Sequence, residues 1–212
     1  MKYKIRKDGR IEALKEFGII TKGTIGGFIS GEENLSHEGN CWVSGDARVS
    51  GNAKVYGNAE VYGNASVYGN AEVFGKARVF RNARVFGDAH VFENAWVFGY
   101  AEVDGNARVY GNAEVFGNAH VFGDAHVFGD AWVFGDARVS GSSIVNSVRP
   151  YYCIQASQHT ITATLEAITI GCETHAPKHW LENYKQISKA NGYTKEQIAE
   201  YGAILSLFKD WK

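Results

Sequence analysis

The sequence predicts an all-β solenoid through its middle, followed by a small C-terminal α+β tail. Three observations carry this. A Val recurs at every sixth position from Val43 to Val145. An Ala stands two residues before each Val from Ala47 to Ala137, and Ser143 takes that slot before Val145. The usual unit reads V-[YF]-G-[ND]-A-x, as in Val55-Tyr56-Gly57-Asn58-Ala59-Glu60. A period of six is neither a coiled-coil heptad nor the unbroken alternation of an open sheet. It is the period of a solenoid.

Val and Ala lie two apart, so on an extended segment they point the same way. Gly supplies a turn conformation closed to most residues, and Asn or Asp tolerates it. Three hexads then make one triangular coil, with Val inside each flat face and Ala where the corner is tight. Successive coils pair as parallel strands about 4.8 Å apart. The hexads supply between five and six coils.

These slots resemble the hexapeptide-repeat family, although the Gly here stands one place later than in that family's usual pattern. The resemblance covers about half of the chain. It implies a left-handed parallel β-helix, and the left hand rests on it alone. A right-handed β-helix is the structural alternative. Family members usually assemble as trimers around a three-fold axis.

The chain has 212 residues and a net charge of −1, so no broad polyanion-binding surface is expected and nucleic acid is not an expected partner. Cys41, Cys153 and Cys172 are odd in number and far apart, unlike a disulfide framework. Residues Met1 to Arg6 contain no signal-peptide apolar core, and no stretch reaches transmembrane length. A cytoplasmic protein without membrane contact is expected.

Three parts follow: an N-terminal cap over residues 1–40, the β-helix over 41–147 and a tail over 148–212. In the first, Tyr3 to Arg6 reads as a short strand ending at Asp8-Gly9. Arg10 to Phe17 reads as weakly helical from Ile11, Leu14 and Phe17. Gly26-Gly27 opens a loop. An end coil needs such a cover, because its Val layer would otherwise face water. The segment from Glu32 to Val43 resembles one in bacterial and phage hexapeptide-repeat proteins, some labelled acetyltransferases. His37 within it is either functional or a polar loop residue.

The residues flanking each Val point outward, and those eighteen apart share a face. One face holds Tyr62, Phe80, Phe98, Phe116 and Phe134, with Trp42, Trp96 and Trp132. A second holds Tyr56, Phe74, Phe92, Tyr110 and Phe128, beside His90 and His126. The third holds Tyr68, Phe86 and Phe122, is interrupted by Asp104, and carries His120. Monomers rarely expose apolar patches above a few hundred Å². Burial of at least one face, in a homo-oligomer or beneath the tail, is therefore expected, and the family resemblance favours a trimer. Lys76 and Tyr100 replace the turn Asn, while Arg81 and Glu93 replace the turn Gly. Arg78, Arg81 and Arg84 form a basic cluster, read either as a solvated or inter-subunit face or as a functional one.

The resemblance also implies a chemistry. Hexapeptide-repeat acyltransferases use a histidine as general base and hold an acyl-CoA donor between neighbouring subunits. His90, His120 and His126 occupy outward slots where a base would stand, and a histidine titrates near neutrality. Uninterrupted hexads leave little concave surface for an acceptor, however. A non-enzymatic binding protein is the preferred expectation, with no cofactor. An acyltransferase using acetyl-CoA is the alternative. The phage-like resemblance points to a host factor or a small signalling molecule as partner. The aromatic columns, including Trp96 and Trp132, suit stacking on bases, and Arg78, Arg84, Arg108 and Arg138 suit phosphates.

Beyond Val145 the period fails. Pro150–Ile154, His159–Leu165 and Ala167–Ile170 read as strands. Pro177 suits a helix start, and Thr194 to Gln197 is a capping box for a second helix. Cys172-x2-His175-x3-His179 has ligand types and spacing suited to zinc, with Cys153 or His159 as a fourth ligand. Ordinary packing or another functional role are the other readings. Non-repeating chemistry concentrates in the tail, at Tyr151, Tyr152, His159, Cys172, His175, His179 and Trp180. The tail is therefore expected to set partner or assembly specificity.

Overall fold

The computed structural model describes residues 1–146, 152–164 and 167–209. Each hexad contributes a two-residue strand made of its Val and the residue before it, such as Lys54–Val55, Glu60–Val61 and Ser66–Val67. Val55 pairs in parallel register with Val73, Val61 with Val79 and Val67 with Val85. Among the described residues, the three faces are sheets of six, six and nine strands. The solenoid has about 7 turns.

The stack starts before the first hexad. The strand Ile25–Ile29 lies parallel to Arg48–Val49, with Phe28 opposite Arg48. Leu35 bridges Val55. The segment from Ile25 to Cys41 thus follows the path of a coil without the hexad spelling. Gly26 and Gly27 sit inside that strand rather than in a loop. A Cβ on Gly26 would come within 2.5 Å of the Val43 carbonyl oxygen, and one on Gly27 within 2.6 Å of that of Ala47.

The core is the Val and Ala ladder. Every Val from Val43 to Val145 is at most 3% exposed, and every Ala from Ala47 to Ala137 is fully buried. Backbone bonds join the coils at face and corner alike. Tyr56 N–H donates to Val73 O at 3.1 Å, Glu60 N–H to Ala77 O at 3.0 Å and Asn58 N–H to Gly75 O at 2.7 Å.

The corner bond explains the turn glycine. Gly57 has φ 70°, and a Cβ there would stand 3.1 Å from Gly75 N. Positive φ and close approach of the next coil both favour glycine. Arg81 and Glu93 nevertheless adopt φ 62° and 58°. The repeat imposes that backbone on them at a cost of about 1–2 kcal/mol each. Glu93 recovers part of this, because its carboxylate accepts Gly111 N–H at 2.9 Å.

The turn Asn residues form ladders. Asn52 donates to Asn70 at 3.0 Å and Asn70 to Asp88 at 2.8 Å; Asn94 donates to Asn112 at 3.1 Å and Asn112 to Asp130 at 3.0 Å. Lys76 and Tyr100 interrupt such ladders, because neither offers a matching amide. The aromatic columns stack in the same axial direction. Tyr56–Phe74 and Phe80–Phe98 centroids are 4.8 Å apart with planes within 6°.

Two segments close the ends. At the first end, Tyr3–Ile5 and Arg10–Ala13 pair antiparallel, and the latter pairs with Ile25–Ile29. The weak helical reading of Arg10 to Phe17 is corrected here. Ile11 and Ala13 are buried while Arg10 and Glu12 remain half-exposed, so a period of two prevails over a period of three. Lys2, almost fully buried, donates through Nζ to Cys41 O at 2.9 Å and approaches Cys41 Sγ at 3.2 Å. Burial lowers the Lys2 pKa and raises that of Cys41. His37 is part of the same packing, accepting Lys2 N–H at 3.2 Å and stacking on Tyr3.

At the other end, Tyr152–Gln155, Thr160–Ala163, Ile168–Ile170 and Glu173–His175 form an antiparallel sheet. Helix α1 (Pro177–Ala190) begins with Pro at its first turn, and α2 (Lys195–Ser206) is capped by Thr194 and Gln197. Trp180, Tyr201 and Leu205 fill the space between helices and sheet. Arg138 N–H donates to Thr162 Oγ1 at 3.3 Å, and Ser140 Oγ meets Thr174 Oγ1 at 3.2 Å. These bonds dock the sheet on the last coil. Pro150, Tyr151, Leu165 and the side chains of Tyr152 and Cys153 lie outside the described residues.

Candidate functional site

The solenoid brings outward residues together by a fixed rule. The residue after a Val meets the residue before the Val of the next coil, sixteen positions on. Tyr56 O–H donates to Glu72 at 2.9 Å, and Arg84 donates to Tyr68 Oη at 2.7 Å. Phe80 meets Trp96 edge-on at 6.2 Å, and Phe116 meets Trp132 at 6.5 Å.

On the third face this rule joins Asp104 to His120. His120 Nε2 lies 3.1 Å from Asp104 Oδ2, and both side chains are about one-fifth exposed. The His120 ring also stacks on Phe122 at 4.4 Å. Asp104 occupies the slot where its neighbours in the column are aromatic, so the carboxylate stands where a ring would be. In the sequence, Asp104 shows only as an interruption of the aromatic column. The sixteen-residue spacing to His120 was the signal for the pair.

Phe122 leads into a cleft of about 460 Å³ between the last coil and the tail. Arg138 and Ser140 line it from the coil, and His159, Cys172, Glu173 and Tyr193 from the tail. Trp180 and Ile170 form part of its apolar wall. Arg138 is held over Phe122, with its guanidinium 5.0 Å from the ring centroid. Burial, then the nearby Tyr201, Cys172 and Glu173, push the Tyr193 phenol up to about 12. It remains a neutral donor across the physiological range.

The other candidates are dispersed. His90 lies on the second face between Glu72 and Arg108, and His126 meets Tyr110 edge-on at 6.2 Å. Arg108 is exposed on that face. Arg84 is bound to Glu102 at 2.8 Å on the third face. Arg78 lies 3.4 Å from Glu60 and over Trp96 on the first face. Trp96 and Trp132 are among the more exposed aromatic residues, at 37% and 46%.

In the tail, Glu173–His175 forms a strand. Alternation places Glu173 and His175 on one side, where His175 Nε2 lies 3.0 Å from Glu173 Oε2. His175 and His179 rings lie 4.5 Å apart. Cys172 does not join them: among the described residues, no three His, Cys, Asp or Glu side chains converge as a metal-ligand group. His159 faces the cleft and packs near Tyr193, with ring centroids 5.9 Å apart.

No protein-family model matches the chain, and no curated protein matches it. Among the described residues, no helix is long and apolar enough to cross a membrane.

Proposed function

We propose that this chain is a binding protein of the hexapeptide-repeat, left-handed type, and that the cleft between its last coil and its tail is the ligand site. The observation that carries this reading is the cleft's composition. One guanidinium, two phenol or imidazole groups and a carboxylate converge over an apolar wall in a volume typical of small-molecule sites. Arg138 suits an anionic group, while Phe122, Tyr193 and Trp180 suit a flat ring. A small ring-bearing anion, such as a nucleotide-like signalling molecule, has that chemistry. The test is ligand-observed NMR with a panel of nucleotides, using the intact protein and Arg138→Ala. Binding that is lost in the variant supports the reading.

The protein is further proposed to act as a trimer. The most exposed ladder aromatics, Trp96, Trp132 and Phe134, lie on one face, which supports that face as the contact between copies. A phage-related role and a cytoplasmic location remain part of this proposal.

One observation favours a second reading, acyl transfer from acetyl-CoA. Asp104 orients His120 beside the mouth of the cleft, as a carboxylate orients a general base. Acetyl-CoA consumption abolished by His120→Ala would establish that reading over simple binding.

A further inference from the structure

A second cleft, of about 530 Å³, lies at the opposite end of the solenoid, where the Gly18–Ile20 turn overhangs the first face. Three long or amide donor side chains, Lys76, Arg78 and Asn58, line it. Lys76 and Arg78 bring two positive charges, of which Arg78 is shared with Glu60 at 3.4 Å. Asn58 lies on the same wall, and Lys76, next in its corner column, offers no acceptor to the Asn58 amide. The Trp42 ring also lines the cleft, although the residue is only 4% exposed and its Nε1–H is buried away from the opening.

The repeat departs from its pattern at this place. Asparagine in the Lys76 slot would extend the ladder from Asn58 to Asn94, as asparagine does in the regular corners. Lysine instead ends the ladder and adds a charge facing the cleft. Ile19, Ile20 and the Tyr62 ring supply the apolar part of the wall, and Asn40, Ser44 and the Glu60 carboxylate that Arg78 neutralises complete it. We propose that this cleft binds a small oxyanion, a phosphomonoester or carboxylate attached to a compact apolar group. The oxyanion sits between Lys76 and Arg78, and the apolar part lies against Ile20 and Tyr62. The site is separate from the cleft beside the tail and does not depend on that cleft having a ligand.

The test uses the full chain and three probes of one shape: phenyl phosphate, benzoate and benzyl alcohol. Binding is followed by calorimetry and by the indole N–H resonances in ¹H–¹⁵N NMR spectra. Lys76→Asn restores the repeat, so it preserves the fold while removing a donor cation. Arg78→Gln is the second variant. The proposal expects one or both anions to bind and to shift one indole N–H signal. It expects each variant to weaken that binding about tenfold or more, the loss due to one charge-assisted hydrogen bond. The melting temperature of Lys76→Asn should equal or exceed that of the parent. Phenyl phosphate alone binding identifies the phosphomonoester; both anions binding identifies a general oxyanion site. Benzyl alcohol binding as tightly as the anions would overturn the proposal. So would undiminished binding in Lys76→Asn, or no anion binding at all.

Discussion

His120 and Asp104 are sixteen residues apart in sequence and 3.1 Å apart in space, Nε2 to Oδ2, on the third face of the solenoid. The same spacing produces Tyr56 with Glu72 and Tyr68 with Arg84. It follows from coils of eighteen residues, because the residue after one Val lies beside the residue before the Val of the next coil. Asp104 is therefore an aromatic slot rewritten as a carboxylate. Asp104→Phe should complete the column from Phe86 to Phe122 and raise the melting temperature. Each new stacked pair contributes about 0.5–1.5 kcal/mol. A lower melting temperature would show that the His120 bond outweighs the column.

Arg81 and Glu93 occupy turn positions with φ 62° and 58°. Arg81→Gly should stabilise the protein by about 1 kcal/mol by removing left-handed strain. Glu93→Gly should gain less, because its carboxylate bond to Gly111 N–H is lost with it. Thermal melts of the two variants against the parent measure the difference. Equal gains would mean that the Glu93 bond contributes nothing.

Burial, followed by the bond to Glu72, pushes the Tyr56 phenol up to about 12 from 10.0. The folded state thus holds this proton more tightly than the unfolded chain. The resulting stabilisation is fully present below pH 10.0 and is lost as pH rises through about 12. Tyr56→Phe should flatten the fall in stability across that window, read as melting temperature against pH. An unchanged slope would contradict the burial of the phenol.

The aromatic ladders cover most of their own surface, since each ring lies against the next at 4.8 to 4.9 Å over most of their length. Exposure is concentrated instead at Trp96, Trp132 and Phe134 on the first face, and at Tyr100 on a corner. Sedimentation equilibrium should give a trimer for the parent. Trp96→Glu with Trp132→Glu should give a monomer, because charges are disfavoured at the centre of an interface. A monomeric parent would remove the trimer.

The Val and Ala periodicities made the solenoid, its three faces and its aromatic columns legible, because one slot rule repeats without a miss. The turn before the hexads was not legible. Ile25 to Cys41 follows the coil path through strand pairing and buried side chains, without the six-residue spelling. The strand at Arg10–Ala13 was hidden for a related reason. Ile11, Leu14 and Phe17 mimic a helical stripe, whereas sheet pairing on both sides decided the conformation. The candidate site was half legible. Arg138 and Cys172 were singled out, yet their shared cleft depends on how the tail docks, which no local pattern encodes. Glu173 and Tyr193 carried no signal of their own.

The central claim is that coil and tail together form a ligand-binding cleft rather than a catalytic site. The most direct measurement is one set of NMR binding experiments with nucleotides and acetyl-CoA, run on the intact chain, Arg138→Ala and His120→Ala, with acetyl-CoA hydrolysis and transfer followed in the same samples. The predicted result is a ring-bearing anion that binds the intact chain and His120→Ala, fails to bind Arg138→Ala, and is not converted. Turnover of acetyl-CoA that disappears in His120→Ala, or ligand binding that survives in Arg138→Ala, would contradict the account.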